Sequence, residues 1–441
     1  MSGTGELRNP LLDVVGKNKG REKRGIASIC SSNGYVVAAT LEWALSRNES
    51  ALIEATANQV NQFGGYTGMK PHDFVRFVHG VADHVGFPKD KLILGGDHLG
   101  PLAWQDQDSS ASMKMASDLV SDYVRAGFTK IHIDTSMMLG GDRAISFDDR
   151  LIAERGAALC EACERTFDAL KSARPQAVRP AYVIGSEVPK PGGSQNGDEE
   201  PSVTEVEDFH GSVETFKEAF LRRGLPTAWG SVMAVVVQLG VEFGDDRVNE
   251  YERARAADLS RALVAYPTLV FEGHSTDFQT RESLREMVED GVAILKVGPA
   301  LTFAFREALF ALSMMEDALS GYQKSIEPSH FIEVLERTMV QDPDNWKRHY
   351  HGTPERLAFD RKYSFSDRCR YYLPSPAVKD ACDLLIRNLR AVRPPLSLIS
   401  QFMPRQYALI RSGLLECDPE ALMKSRIREC LDEYGYAMSG A

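Results

Sequence analysis

Short apolar runs alternate along this chain with longer stretches in which apolar residues recur every three or four positions. The first pattern marks buried strands and the second amphipathic helices. Residues 25–30 (GIASIC), 51–56 (ALIEAT), 92–101 (LILGGDHLGP), 130–136 (KIHIDTS), 181–187 (AYVIGSE), 232–239 (VMAVVVQL), 268–274 (TLVFEGH) and 292–298 (VAILKVG) read as strands. A helical stretch follows each. In the second of these, Phe74, Phe77, Val78 and Val81 share one side. Capping-box spacing at 204–207 (TEVE) and 276–279 (TDFQ) marks two helix starts. Pro299 suits the first turn of the last one, where its missing N–H costs nothing.

Eight strand–helix pairs predict an α/β fold, a closed parallel (β/α)8 TIM barrel over residues 25–319. An open doubly wound sheet also alternates strand and helix. However, no GxGxxG or GxxxxGK[ST] turn follows any strand, so nothing favours a nucleotide-binding sheet. Residues 1–24 are polar and basic, a loose tail or a helix feeding the barrel. From residue 320 the pattern becomes helical, near 331–340, 378–389, 396–411 and 420–434. Residues 320–441 therefore read as a helical C-terminal extension packed on the barrel. Residues 189–202 are rich in Gly, Pro and acids, the composition of a lid or a disordered loop.

The strand at 130–136 separates Ile131 and Ile133 from His132, Asp134 and Ser136. Helices cover the outside of a barrel, so the polar face points inward near the open end. The same phase argument expects His132, Asp134, Gln238, Glu272 and His274 inside, and Ile131, Ile133, Val270 and Phe271 on other surfaces. Strand ends then gather Glu54, Asp97, His98, Asp134, Glu187, Gln238, His274 and Lys296 around one rim. Active sites of such barrels lie there. His98 and His274 with Glu187 suit a divalent metal of the zinc class, and Asp97 or Glu187 would be the acid–base group. The alternative is a pair of hydrogen-bonded rim histidines without metal. Lys296 is either a Schiff-base nucleophile or, preferably, a cation paired with Glu272, since an unpaired buried ammonium is too costly. Asn58, Asn61, Gln62, Ser136, Arg368 and Arg370 are candidates to hold hydroxyls or phosphate, together with Glu54, Asp134, Gln238 and Glu272. Surface ion pairs are the plainer reading of the two arginines.

The net charge of −11 speaks against a nucleic-acid or anionic-membrane partner. The seven cysteines are odd in number and scattered, and Cys160 and Cys163 have no second pair to complete a zinc site, so all read as reduced thiols. No apolar run approaches a membrane span and no signal peptide is visible, which points to the cytoplasm.

Seven segments resemble a known family: IEATANQVNQFGGYTGM from residue 53, LGGDHLGP from 94, KIHIDTSM from 130, FEGHSTDFQT from 271, ILKVGPALTFAFREALFAL from 294, YSFSDRCRYY from 363 and ISQFMPRQ from 399. The family is that of the Z-type, so-called non-catalytic subunits of D-tagatose-1,6-bisphosphate aldolase, which act in galactitol and N-acetylgalactosamine breakdown. The resemblance implies a class II aldolase-type barrel, a sugar-phosphate ligand and an oligomeric assembly. It also implies a catalytic Y-type partner that carries zinc and is supported by the Z-type chain. In class II aldolases a His following Asp binds zinc together with histidines from late strands. Asp97-His98 and His274 match, whereas Gln238 stands where another histidine is expected, which agrees with a supporting role. An independently active metal-dependent ketose or ketose-phosphate epimerase or aldolase is the alternative. Some relatives are labelled tagatose-6-phosphate kinases, a reading that no nucleotide-binding motif here supports.

Overall fold

The computed structural model of the chain describes residues 8–20, 22–142, 147–185, 201–321 and 326–439. Strands β1 (Ile26–Cys30), β2 (Ala51–Thr56), β3 (Leu92–Leu99), β4 (Lys130–Ile133), β5 (Ala181–Ile184) and β6 (Val232–Val236) lie side by side in chain order. A two-residue hairpin, β7 (Glu242–Phe243) and β8 (Val248–Asn249), leaves the sheet before β9 (Val270–Gly273) and β10 (Val292–Val297) return to it. β10 pairs with β1, so the eight parallel strands close. This is the (β/α)8 barrel that the alternation predicts.

Helices α2 (Gly34–Ser46), α3 (Pro71–Val85), α4 (Ser109–Ala126), α5 (Asp149–Ala173), α6 (Val206–Arg222), α7 (Pro226–Trp229), α8 (Arg253–Ala262), α9 (Arg281–Glu289) and α10 (Pro299–Ser320) follow the strands. Both capping-box expectations need correction. Glu205 precedes α6, and the Thr204 hydroxyl instead accepts from the Gln238 N–H. α9 starts at Arg281 with Thr280 as its cap. Thr276 and Asp277 are unavailable to it because they bond to Lys296 and to the start of α10.

The barrel interior is layered. At its N-terminal end Ile26, Leu52, Ile93, Ala181, Ala234, Val270 and Ile294 form an apolar floor. Leu11, and Val15 of the helix it precedes, α1 (Leu12–Lys19), join it and plug that end. Val270 therefore belongs to the interior, contrary to the sequence expectation. It shares the phase of Glu272, two residues on. Phe271 packs its ring on Phe209 of α6, in the outer shell.

Further helices, α11 (Phe331–Gln341), α12 (Pro354–Tyr363), α13 (Pro376–Ala391), α14 (Leu396–Phe402), α15 (Pro404–Arg411) and α16 (Pro419–Met438), lie against the barrel. Tyr434 of α16 is buried, and its hydroxyl donates to the Thr276 carbonyl at 2.9 Å. The seven cysteines are free thiols. Among the described residues no helix is long and apolar enough to cross a membrane.

The loop after β4 is pinned by one buried carboxylate. Asp142 accepts from Arg155 through both oxygens, at 2.6 and 2.8 Å, from the Ser109 hydroxyl at 2.7 Å and from the Leu139 N–H at 2.6 Å. The Arg155 hydrogen bonds, and then the others, hold this carboxyl far below its ordinary range. A depressed carboxylate stabilises the fold above its unfolded value, and that contribution vanishes as pH falls through the folded value. Asp142→Asn leaves Arg155 without its counter-ion and should cost about 3 kcal/mol in neutral urea titrations. The gap from the parent protein should narrow below about pH 4.

Candidate functional site

The site is built where β3 leaves the regular sheet. The register of β3 on β4 shifts between Gly96 and Leu99, and His98 adopts left-handed backbone at φ +47°. Neighbours on a regular strand point to opposite faces. The bulge turns Asp97 and His98 toward one cavity, which both line. A non-glycine residue in this conformation costs roughly 1–3 kcal/mol, so its surroundings must hold it there. Gly95 is required for a different reason. A Cβ on it would fall 2.4 Å from Glu54 Oε1.

Above the apolar floor lies a layer of buried charge. Lys130 Nζ is 2.7 Å from Glu54 Oε1 and 2.7 Å from Glu272 Oε2. Lys296 Nζ is 2.6 Å from Glu54 Oε2 and 2.5 Å from Asp97 Oδ2. The expected partner of Lys296 thus needs correction. Glu272 pairs in register with Ile294, which leaves Lys296 two residues nearer the mouth, level with Asp97, and Lys130 takes Glu272. Burial alone would discharge Lys130, but Glu272 and Glu54 outweigh it and hold the ammonium above its ordinary value. Burial likewise opposes the charge of Lys296, and Asp97 and Glu54 hold it well above the usual range. The two short carboxylate contacts favour the paired cation over the Schiff-base nucleophile, which must give up its proton.

Three imidazoles crown this layer with ring centroids 4.8 to 5.1 Å apart. His132 Nδ1 lies 2.8 Å from Asp97 Oδ1. His98 Nδ1 lies 2.9 Å from Asp134 Oδ2, while Asp134 Oδ1 accepts from the Ser136 N–H and hydroxyl. His274 Nε2 is 3.1 Å from Glu272 Oε1. Burial opposes a charged His98, but Asp97 and Asp134 raise it above the ordinary histidine value. Burial pushes His274 down to about 3 despite Glu272, which keeps it neutral. The Cys30 thiol, pushed up to about 12 by burial, stays protonated.

A cavity of about 770 Å³ opens above Asp97, His98, His274 and Lys296, with Asn58, Tyr66, Asp277, Arg370 and Tyr371 on its walls. Not every expected ligand contact reaches it. Asn61 spends its side chain on the Ala57 carbonyl and the N–H groups of Phe63 and Gly65. Gln62 donates to the Met115 carbonyl on α4. Gln238 accepts from the Leu239 N–H, outside the cavity lining. Arg368 donates to the Asn345 carbonyl and contacts His349, within the extension rather than at the surface. Arg370 does line the cavity, its guanidinium over the Tyr371 ring. Glu54, Asp134 and Ser136 lie beneath or behind the lining and orient other groups. Glu187 lies outside the described residues, as do residues 189–200 of the proposed lid.

The group that could hold a metal is also drawn differently. Asp97, His132, Glu272 and His274 each offer one ligand atom, all within 4.8 Å of one another. His98 is engaged by Asp134 instead. Two features fit a cation at this group. His132 Nε2 is buried without a hydrogen-bond partner. Three carboxylates (Glu54, Asp97, Glu272) also share two ammonium groups (Lys130, Lys296). Mixed imidazole and carboxylate donors suit zinc or a similar ion. The sequence reading left Lys130 and His132 out of the site set. Their shared phase with Asp134 was the available signal.

A family model described as D-tagatose-1,6-bisphosphate aldolase subunit GatZ/KbaZ-like matches residues 11–439. Subunit GatZ of D-tagatose-1,6-bisphosphate aldolase from Klebsiella pneumoniae subsp. pneumoniae is 44% identical over 429 residues, covering 97% of this chain and 99% of that protein. Its Salmonella heidelberg counterpart is 43% identical over 426 residues, covering 97% and 98%. A crystal structure from Sinorhizobium meliloti, described as a probable tagatose 6 phosphate kinase, superimposes with a TM-score of 0.85 at 41% identity over 94% of this chain and 100% of that one.

The charge layer yields a stability test. Lys130→Met leaves Glu54 and Glu272 buried without their shared cation and should cost about 3–5 kcal/mol in denaturant titrations. Adding Glu272→Leu should recover part of that loss, because one of the stranded charges is then gone.

Proposed function

The chain belongs to the family of D-tagatose-1,6-bisphosphate aldolase subunits of GatZ/KbaZ type, and we propose on that footing that it is a component of such an aldolase. In this reading it binds a ketose phosphate at the barrel mouth and works in the cytoplasm beside a catalytic Y-type subunit. The observation that carries the reading is the cavity whose base is Asp97, His98, His274 and Lys296. Its donors and acceptors match a ligand rich in hydroxyls, and Arg370 offers a cation for phosphate. Asp97, His132, Glu272 and His274 would hold a divalent ion of the zinc class. Bound there, it would supply Lewis-acid polarisation of a ketose carbonyl. The chain's own contributions are positional. Lys296, charged and paired, presents N–H donors to a ligand oxygen. Asp134 fixes the His98 tautomer and leaves Nε2 to deliver or take a proton.

One observation favours a second reading, an independently active metal-dependent ketose or ketose-phosphate epimerase or aldolase. The imidazole that β6 lacks is supplied by His132 on β4, so Gln238 does not by itself deplete the donor set.

The purified chain, a catalytic Y-type subunit and their mixture should be assayed for D-tagatose 1,6-bisphosphate cleavage with zinc, nickel, manganese or cobalt. The expected result is little cleavage by the chain alone and a higher rate or longer lifetime in the mixture. Cleavage or 4-epimerisation by the chain alone, lost in His98→Ala and His274→Ala, replaces the first reading with the second. Bound metal, measured by mass spectrometry, should fall at least about tenfold in His132→Ala, since ligand-shell changes act on that scale.

A further inference from the structure

One wall of the cavity comes from the helical extension, from the short turn Arg368–Tyr371. Its two arginines converge on one phenol. Arg368 Nη1 donates to the Tyr371 hydroxyl at 3.3 Å, and Arg370 Nη2 donates to the same oxygen at 3.1 Å. A phenol accepts through its oxygen and donates its one proton. The accepting side is filled, and the proton has no acceptor among the described residues. Burial opposes ionisation of Tyr371, but Arg370 and Arg368 hold it below the ordinary tyrosine value, which makes its O–H a stronger donor. The Tyr66 ring meets the Tyr371 ring edge-on, with centroids 4.7 Å apart, and steadies it from the loop after β2.

The guanidinium groups are also short of negative charge. Arg370 Nη1 donates to the Ser366 and Asp367 carbonyls, and Nε and the second Nη2 hydrogen have no acceptor among the described residues. No described carboxylate lies within ion-pair distance of either arginine. The Asp367 carboxylate instead engages the Thr302 hydroxyl and the Cys369 thiol. His349, in contact with Arg368, is held down to about 4 by burial and the arginines and stays neutral. Two cations and an unspent proton therefore meet at the cavity wall without an anion, an arrangement that is costly unless a ligand supplies one.

We propose that the Tyr371 hydroxyl and the Arg370 guanidinium form an anion site on the cavity wall that takes a phosphate group of the ligand. The proposal rests on the ketose-phosphate reading and deepens it, because it places recognition of a phosphate in the extension rather than in a barrel loop. A phosphate oxygen accepts from the phenol proton, and a second accepts from the free N–H groups of Arg370, whose planar fork suits phosphate. Arg368 does not touch the ligand. It helps fill the accepting side of the phenol, so that Tyr371 can bond only by donating. A sugar hydroxyl would satisfy the hydrogen bonds but leave both charges unbalanced.

The test is calorimetric titration of the full chain with D-tagatose 1,6-bisphosphate, D-tagatose and inorganic phosphate. Tyr371→Phe keeps the ring against Tyr66 and removes only the hydroxyl. It should weaken binding of the bisphosphate and of inorganic phosphate about tenfold, the scale of one hydrogen bond to a charged group, and leave D-tagatose within about twofold. Arg370→Gln should weaken both phosphate ligands by at least about tenfold. An equal loss for D-tagatose and the bisphosphate in Tyr371→Phe marks a structural role or a contact with sugar hydroxyls, and overturns the proposal. Unchanged phosphate affinity in either variant overturns it as well. Binding of neither sugar by the parent defeats the ligand reading, while the inorganic-phosphate comparison still decides the anion site. A parent that binds none of the three overturns both.

Discussion

Lys130 and its partners Glu54 and Glu272 have no exposure to water. A charge so placed persists only when paired, because the cost of dehydrating it exceeds the net worth of most folding contacts. The mouth of the barrel follows from this constraint. The position of Lys130 fixes Glu272, whose carboxylate orients His274. It fixes Glu54, which shares its second oxygen with Lys296 and so places the ammonium that reaches Asp97. Asp97 in turn orients His132. The apolar floor below excludes water from these pairs; that exclusion keeps His274 neutral, while Asp97 and Glu54 keep Lys296 charged against it.

The charge is not spread evenly round the barrel. β2, β3 and β4 carry Glu54, Asp97, His98, Lys130 and His132, and β9 and β10 answer with Glu272 and Lys296. β5 and β6 turn only apolar side chains such as Val183 and Val236 into the same interior. The polar sector therefore reaches across the barrel through the two lysines. Their long stems cover this distance while their stem methylenes remain in apolar surroundings. The cavity opens over that polar sector, and Tyr66, Arg370 and Tyr371 line its wall where the extension meets the loop after β2.

Strand count, closure and the gathering of acids and histidines at one end were legible because periodicity reports directly on burial. His132, Asp134, Glu272 and His274 fell on the expected phase. What phase could not report was reach. Lys130 and Lys296 each span several ångströms, so the partner of each depended on the stagger between strands, which no local pattern encodes. The bulge at Asp97 and His98 also broke the alternation on which the phase argument stands. Amide-rich loops were ambiguous for a related reason. Asn61 and Gln62 are as well suited to tying a loop to itself as to touching a ligand, and here they tie it. The pairing of Asp277 with α10 was hidden because 276–279 carries an equally good local signal for starting a helix.

The packing of α16 against α2 ties the order of synthesis to the order of folding. Trp43 on α2 donates to Asp432 on α16 at 2.9 Å across 389 positions, and Glu42 meets Lys424 at 2.5 Å. β1, beside them, waits for β10 before the barrel can close. A nascent chain that has finished every barrel strand still shows the uncovered side of α2 until residues 419–438 emerge from the ribosome. Contacts of such long range are entropically slow to form, and apolar surface left open meanwhile invites association with other chains. Completing the barrel strands therefore does not complete the cover of α2, which waits for the last described helix.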